Sequence, residues 1–162
     1  MKIQTRGFKN KILINYVRSA TKFFVDQLIP PKLSEKLDLR VVLRKVSDAD
    51  GKCLKEEKYK YFIELDKDLS FESLLLTLAH EIVHVKQYVT MELKMWNIQG
   101  KDVDVWRGRR FRNLDYEQQP WELEANDLEE GLYQNFIFYS LLGGTSLFDH
   151  INTLGTMRVS NG

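Results

Sequence analysis

Residues 78–88 read LAHEIVHVKQY and place two of the chain's three histidines, His80 and His84, four positions apart with Glu81 directly after the first. On an α-helix each residue turns by about 100°, so these imidazoles lie about 40° apart on one face and can converge on one ion. Glu81 is offset along the same side. From there its carboxylate can reach a water on the metal without competing as a ligand. H-E-x-x-H is therefore the spacing of two zinc ligands and a general base. Leu75, Leu78, Ile82, Val85 and Val89 recur at helical spacing and form an apolar stripe roughly opposite the histidines. Thr77, Gln87 and Tyr88 flank the histidine face instead, so a core role does not account for the pair.

A catalytic zinc takes three protein ligands and a water. His150 falls in the polar tail and reads as a surface histidine, and Cys53, beside a turn, reads as a small, partly buried thiol. The remaining donors are the carboxylates of PWELEANDLEE, residues 120–130. Glu122 and Glu124 point about 200° apart on a helix and are not expected to face one ion together. Glu124 flanks the apolar stripe of Trp121, Ala125, Leu128 and Leu132, whereas Glu122 shares its side with Asn126, Glu129 and Tyr133, as a solvated face would. Helix geometry favours Glu124 only weakly and leaves Glu122 in reserve.

HEIVH followed about 40 residues later by a Glu-Ala pair on a second helix resembles the gluzincin metallopeptidases, with their thermolysin-like set of two histidines and a glutamate. The longer pattern H-E-x-x-H-V-x-Q-Y, then W-R-G-R, then Y-x-x-x-P-W-E-x-E-A is similar to small single-domain SprT-like metallopeptidases frequent in phage genomes. The likeness spans roughly residues 37 to 140. It implies a zincin-like fold, a zinc cofactor, a peptide or protein substrate, and the glutamate before alanine, Glu124, as third ligand. Two departures stand out. SprT proteins proper take a histidine as third ligand and often add a zinc ribbon, and the thermolysin pattern has an aspartate four residues after its glutamate where this chain has Leu128. For the developing oxyanion the best-placed donor is Tyr116, four residues before Pro120.

The elements that must hold these residues follow from periodicity. Residues 10–29 suit an amphipathic helix ended by Pro30 and Pro31. LDLRVVLRKV (37–46) and KYKYFIELD (58–66) read as an antiparallel pair, with a turn at Asp50-Gly51 and YKYFIEL as a sheet edge along the cleft. A helix from Asp68 or Ser70 to Tyr88 or Thr90 carries the histidines. A second hairpin turns at Gln99-Gly100, and a last helix runs from Pro120 to Gly143-Gly144. The expected architecture is α+β: an N-terminal helix, a small antiparallel sheet, and two helices that carry the ligands. The whole of 1–162 reads as one domain, with residues 1–9 and 145–162 loosely ordered.

Net charge of +1, hydrophobic content of 43% and a single cysteine fit a cytoplasmic globular protein without a disulfide framework or secretory signal. No apolar run reaches the ~20 residues of a membrane span. Two basic stretches, Lys2 to Lys22 and WRGRRFR (106–112), leave a DNA-associated protease as an alternative, and a non-catalytic zinc-stabilised or virion protein is a second. Oligomeric state is not expressed in these patterns.

Overall fold

The computed structural model of the chain describes residues 1–98 and 101–142. In chain order come β1 (Lys2–Arg6), α1 (Lys11–Leu28), the single turn α2 (Pro31–Ser34), β2 (Asp38–Arg44), β3 (Gly51–Glu57), β4 (Lys60–Asp66) and α3 (Phe71–Val89). Then follow β5 (Leu93–Ile98), β6 (Lys101–Trp106), β7 (Arg109–Phe111), a 3-10 turn at Tyr116–Gln118 and α4 (Pro120–Leu142). The class is α+β. No described helix is long and apolar enough to cross a membrane.

The first four strands form one sheet in the order β1-β2-β4-β3. The runs at 37–46 and 58–66 are strands as expected, but they pair in parallel, with Asp38 opposite Lys60 and Arg44 opposite Asp66. Alternation fixed which face each presents, since Leu39, Val41 and Leu43 line up with Tyr61, Ile63 and Leu65 in the core. A period of two says nothing about the direction of the partner. The turn at Asp50-Gly51 leads instead into an additional strand, β3, which returns antiparallel to β4. β4 is thus interior rather than a sheet edge. The edge on that side is the charged strand GKCLKEE, and β1 forms the opposite edge. Charged residues suit an edge and hide it from an apolar search.

Residues 2–6, expected to be loose, form β1 in parallel with β2. Gly7 closes that strand at φ +82°, where a side-chain Cβ would lie 2.1 Å from the Leu43 carbonyl oxygen. The expected turn at Gln99-Gly100, the helix stop at Gly143-Gly144, the tail and His150 lie outside the described residues.

α1 and α3 pack on this sheet, with Val17, Ala20 and Phe24 from α1 and Leu74, Leu75, Leu78 and Ile82 from α3 fully buried. Asn10 caps α1 by accepting from the Ile12 amide at 2.8 Å, and Ser70 caps α3 by accepting from the Ser73 amide at 3.1 Å. Asp66 fixes the entry to α3 by accepting from the backbone amides of Val46 and Asp68, each at 2.8 Å. No proline or glycine interrupts α3, so its histidine face runs straight past the end of β3. α4 lies across α3. The second sheet, β5-β6-β7, docks beside both through Leu93 and Trp106 against Trp121.

Gly7→Ala should cost about 1–3 kcal/mol from backbone conformation alone, before any clash with Leu43. Chemical denaturation of the purified variant should report a loss at least that large. An unchanged midpoint would show that β1 does not hold this register.

Candidate metal centre

α3 supplies the first two donors. His80 Nε2 and His84 Nε2 lie 3.2 Å apart, with the rings inclined at 79°. The third donor comes from the first turn of α4, where Glu122 Oε2 lies 3.2 Å from His80 Nε2 and 3.4 Å from His84 Nε2. These three atoms could hold one metal ion. Two nitrogens and an oxygen each about 2.0–2.1 Å from a tetrahedral ion stand about 3.3–3.4 Å from one another, so zinc fits the triangle closely.

The outer nitrogens of both rings are engaged. His80 Nδ1 faces Glu129 Oε2 at 2.8 Å, and an ionised carboxylate can only accept, so that nitrogen carries a proton. His84 Nδ1 lies 2.9 Å from the Gln87 side-chain oxygen. With both protons on the outer nitrogens, both Nε2 lone pairs point at the same small volume beside the Glu122 carboxylate. Such an arrangement needs a cation between the rings, either a proton or a metal ion.

Of the sequence-derived residues, His80, Glu81 and His84 come together as expected, and Tyr116 joins them by a hydrogen bond to Glu122 at the cleft wall. Glu124 does not. Its carboxylate accepts from Lys86 at 3.2 Å, from Arg107 at 2.5 Å and from Gln87 at 3.0 Å, with Gln87 standing between it and His84. The correction has a simple cause. The face of α3 that bears the histidines is polar and meets the polar shoulder of α4 that carries Glu122 and Glu129, while Ala125 and Leu132 of the stripe are buried in the main core. That shoulder looked solvated because its partners were not visible. Glu122, Asn126 and Glu129 at i, i+4 and i+7 were the available signal for it, and Gln87, one turn after His84, was the signal for the second outer partner.

Glu81 points into the same space but stays out of the triangle. It is buried beneath the start of β3, where Gly51 passes so closely that a Cβ would fall 2.9 Å from Glu81 Oε1 and 2.5 Å from the Thr77 methyl. Burial raises the Glu81 pKa, the two imidazoles draw it down, and the charges of Glu122 and Glu129 push it up, leaving it at about 7. For His80, burial alone would favour the neutral ring. The hydrogen bond to Glu122, the charge of Glu81 and the hydrogen bond to Glu129 outweigh it and bring the pKa up to about 9. Burial would likewise raise Glu122, but hydrogen bonds from His80, His84 and Tyr116 hold it well below the usual carboxylate range.

The cluster opens into a cleft of about 770 Å³, lined also by Asp50, Ser73, Tyr88, Leu93 and Trp121. The cleft combines a triangle of metal donors, a separate carboxylate able to exchange a proton near neutrality, and room for an extended ligand. Comparison of the chain with protein-family models, with curated proteins and with solved structures gives no match.

The signs of the two raised pKa values set the pH behaviour of the metal-free protein. His80 goes from an ordinary 6.5 up to about 9, so its contribution to stability is complete below 6.5 and disappears as pH rises through 9. Glu81, raised from 4.5 to about 7, acts in the same direction over that lower window. Thermal melts of chelator-treated protein should therefore show the melting temperature falling from near neutrality to pH 9. Added zinc, which takes neutral imidazole, should reverse the fall. A flat profile in both conditions would mean the cluster is not assembled as described.

Proposed function

We propose that the chain is a zinc-dependent metallopeptidase with a zincin-like, gluzincin-type site, in which His80, His84 and Glu122 would hold the ion. The single observation that carries this reading is the triangle of His80 Nε2, His84 Nε2 and Glu122 Oε2, 3.2–3.4 Å on each side, with Glu81 beside it and not part of it. A purely structural zinc site needs four closed ligands and no base, whereas three ligands with a free carboxylate in an open cleft suit hydrolysis. When bound, zinc supplies a Lewis acid that polarises the scissile carbonyl and brings a water toward ionisation near neutral pH.

The protein's own residues do the rest. Glu81, with a pKa near 7, takes a proton from the attacking water on its carboxylate and returns it to the nitrogen of the leaving amine. Gly51 lets β3 close over that carboxylate and exclude bulk water from one side of it. β3 pairs only with β4 among the described residues, so its outer edge is available to an extended peptide, which would add as a further strand. Main-chain hydrogen bonds to β3 would then lay the scissile bond along the cleft beside Glu81. Tyr116, 56% exposed and hydrogen-bonded to Glu122, can swing its hydroxyl toward the developing oxyanion. This reading keeps the gluzincin ligand set of two histidines and a glutamate and moves the glutamate from position 124 to 122.

Glu81→Gln should retain one zinc per chain and lower kcat on a casein-type substrate by about 10²–10⁴-fold. Tyr116→Phe should lower kcat by about 10²-fold with KM little changed. Zinc content by atomic emission and rates on a fluorogenic protein substrate decide the matter. Stoichiometric zinc with no hydrolysis by the wild type would favour a non-catalytic role.

A further inference from the structure

We propose that Glu124 is a positioning residue for the His80–His84–Glu122 site, acting through Gln87 to keep the proton of His84 on Nδ1 and leave Nε2 free for the metal. The proposal rests on the metal reading above. Gln87 is completely buried, so its amide must find every partner inside the protein. The nitrogen end lies 2.9 Å from the Trp121 carbonyl oxygen and 3.0 Å from Glu124 Oε2. Both of those groups only accept, so the NH₂ must be at that end, and the amide cannot be flipped without placing oxygen against oxygen. The Gln87 oxygen is then left facing His84 Nδ1 at 2.9 Å, and only an N–H there makes a bond. Whatever the charge on the ring, Nδ1 is protonated. The neutral tautomer that remains is the one able to ligate through Nε2.

Glu124 is itself held. Lys86 donates to its two oxygens at 3.2 and 3.3 Å, and Arg107 donates at 2.5 Å. Glu92 accepts from the same two cations, at 2.9 Å from Lys86 and 3.0 Å from Arg107. Arg107 stands in the turn between β6 and β7 with φ +46°, a left-handed conformation uncommon for arginine. The turn is closed against α3 by the Arg107 amide donating to the Glu92 carbonyl at 2.8 Å. The docked second sheet thus fixes Glu124, Glu124 and the Trp121 carbonyl together fix the direction of the Gln87 amide, and Gln87 fixes the His84 tautomer. Without the carboxylate, only the Trp121 carbonyl still opposes a turn of the NH₂ toward His84 Nδ1, and the turned amide becomes a competing state. That would move the ring proton to Nε2 and block the metal.

Zinc affinity, measured by competition with a chromophoric chelator, should fall about 10–100-fold in Gln87→Leu and about 10-fold in Glu124→Ala. Asp127→Ala, on an exposed position of α4, should leave it unchanged. Thermal melts confirm that each variant is folded before it is scored. A folded Gln87→Leu or Glu124→Ala with wild-type zinc affinity would overturn the relay and leave the metal site standing. Nitrogen-15 spectra of the metal-free protein, recorded alkaline of both imidazole titrations, provide a readout that needs no zinc. His84 should appear as the Nδ1–H tautomer in the wild type and shift toward Nε2–H in Gln87→Leu. Nε2–H in the wild type would overturn the proposal. Failure of the wild type to bind zinc, with the Nδ1–H tautomer intact, would instead sink the metal reading and support the relay alone.

Discussion

Two imidazole Nε2 atoms at 3.2 Å, both turned toward one carboxylate, are the constraint around which this chain is arranged. Water is largely kept from them, since His84 is buried and His80 is nearly so. Buried polar groups without partners cost a few kcal/mol each, so every atom around the pair has to be matched. Glu129 and Gln87 take the outer ring nitrogens, Tyr116 takes a place on Glu122, and among the described residues no buried side-chain donor or acceptor is left without a partner. That matching requires α3 and α4 to meet along their polar shoulders. Beside those shoulders, Leu75, Leu78 and Ile82 of α3 and Ala125 and Leu132 of α4 share the main core, and Trp121 packs on the second sheet.

The helices were legible in the sequence because each carries its own signals. Asn10 and Pro30 bound α1, Ser70 begins α3, and Pro120 opens α4 at the position where a missing amide hydrogen costs nothing. The strands were legible as strands and as faces, yet their pairing was not. β2 and β4 have similar apolar alternation, and nothing local distinguishes a hairpin from a parallel pair with a third strand inserted between them in sequence. β1 was missed for a related reason. KIQTR is short and polar, and it becomes a strand by pairing with β2 rather than by any propensity of its own.

The site was legible in part for the same physical reason. His80, Glu81 and His84 belong to one helix, and one helix's geometry is fixed by 3.6 residues per turn. The third donor depends on how a second helix rolls against the first. On α4, Glu122 and Glu124 differ by about 200°, so a single choice of roll decides between them. The weak argument from proximity to the apolar stripe assumed that the stripe faces the metal. In fact Trp121 belongs to the cluster with Leu93 and Trp106, and the docking of that cluster turns Glu122 inward and Glu124 toward Lys86 and Arg107.

Protons and a divalent cation compete for the same place. Three carboxylates, Glu81, Glu122 and Glu129, surround two imidazoles. Burial first and then the neighbouring carboxylates make Glu81 hold its proton to higher pH than usual, and against burial those carboxylates do the same for His80. A divalent ion would have to replace those protons, because its ligands must be neutral imidazole and ionised carboxylate. The exchange leaves Glu129 and Gln87 still accepting from the Nδ1 protons, so the outer partners serve both states without rearrangement. What changes is Glu81. With a cation between the rings its carboxylate is drawn to the ionised form, the form that can accept a proton. The groups that make the metal-free cluster hold protons are thus the same groups that, were a metal in place, would leave an ionised carboxylate beside it.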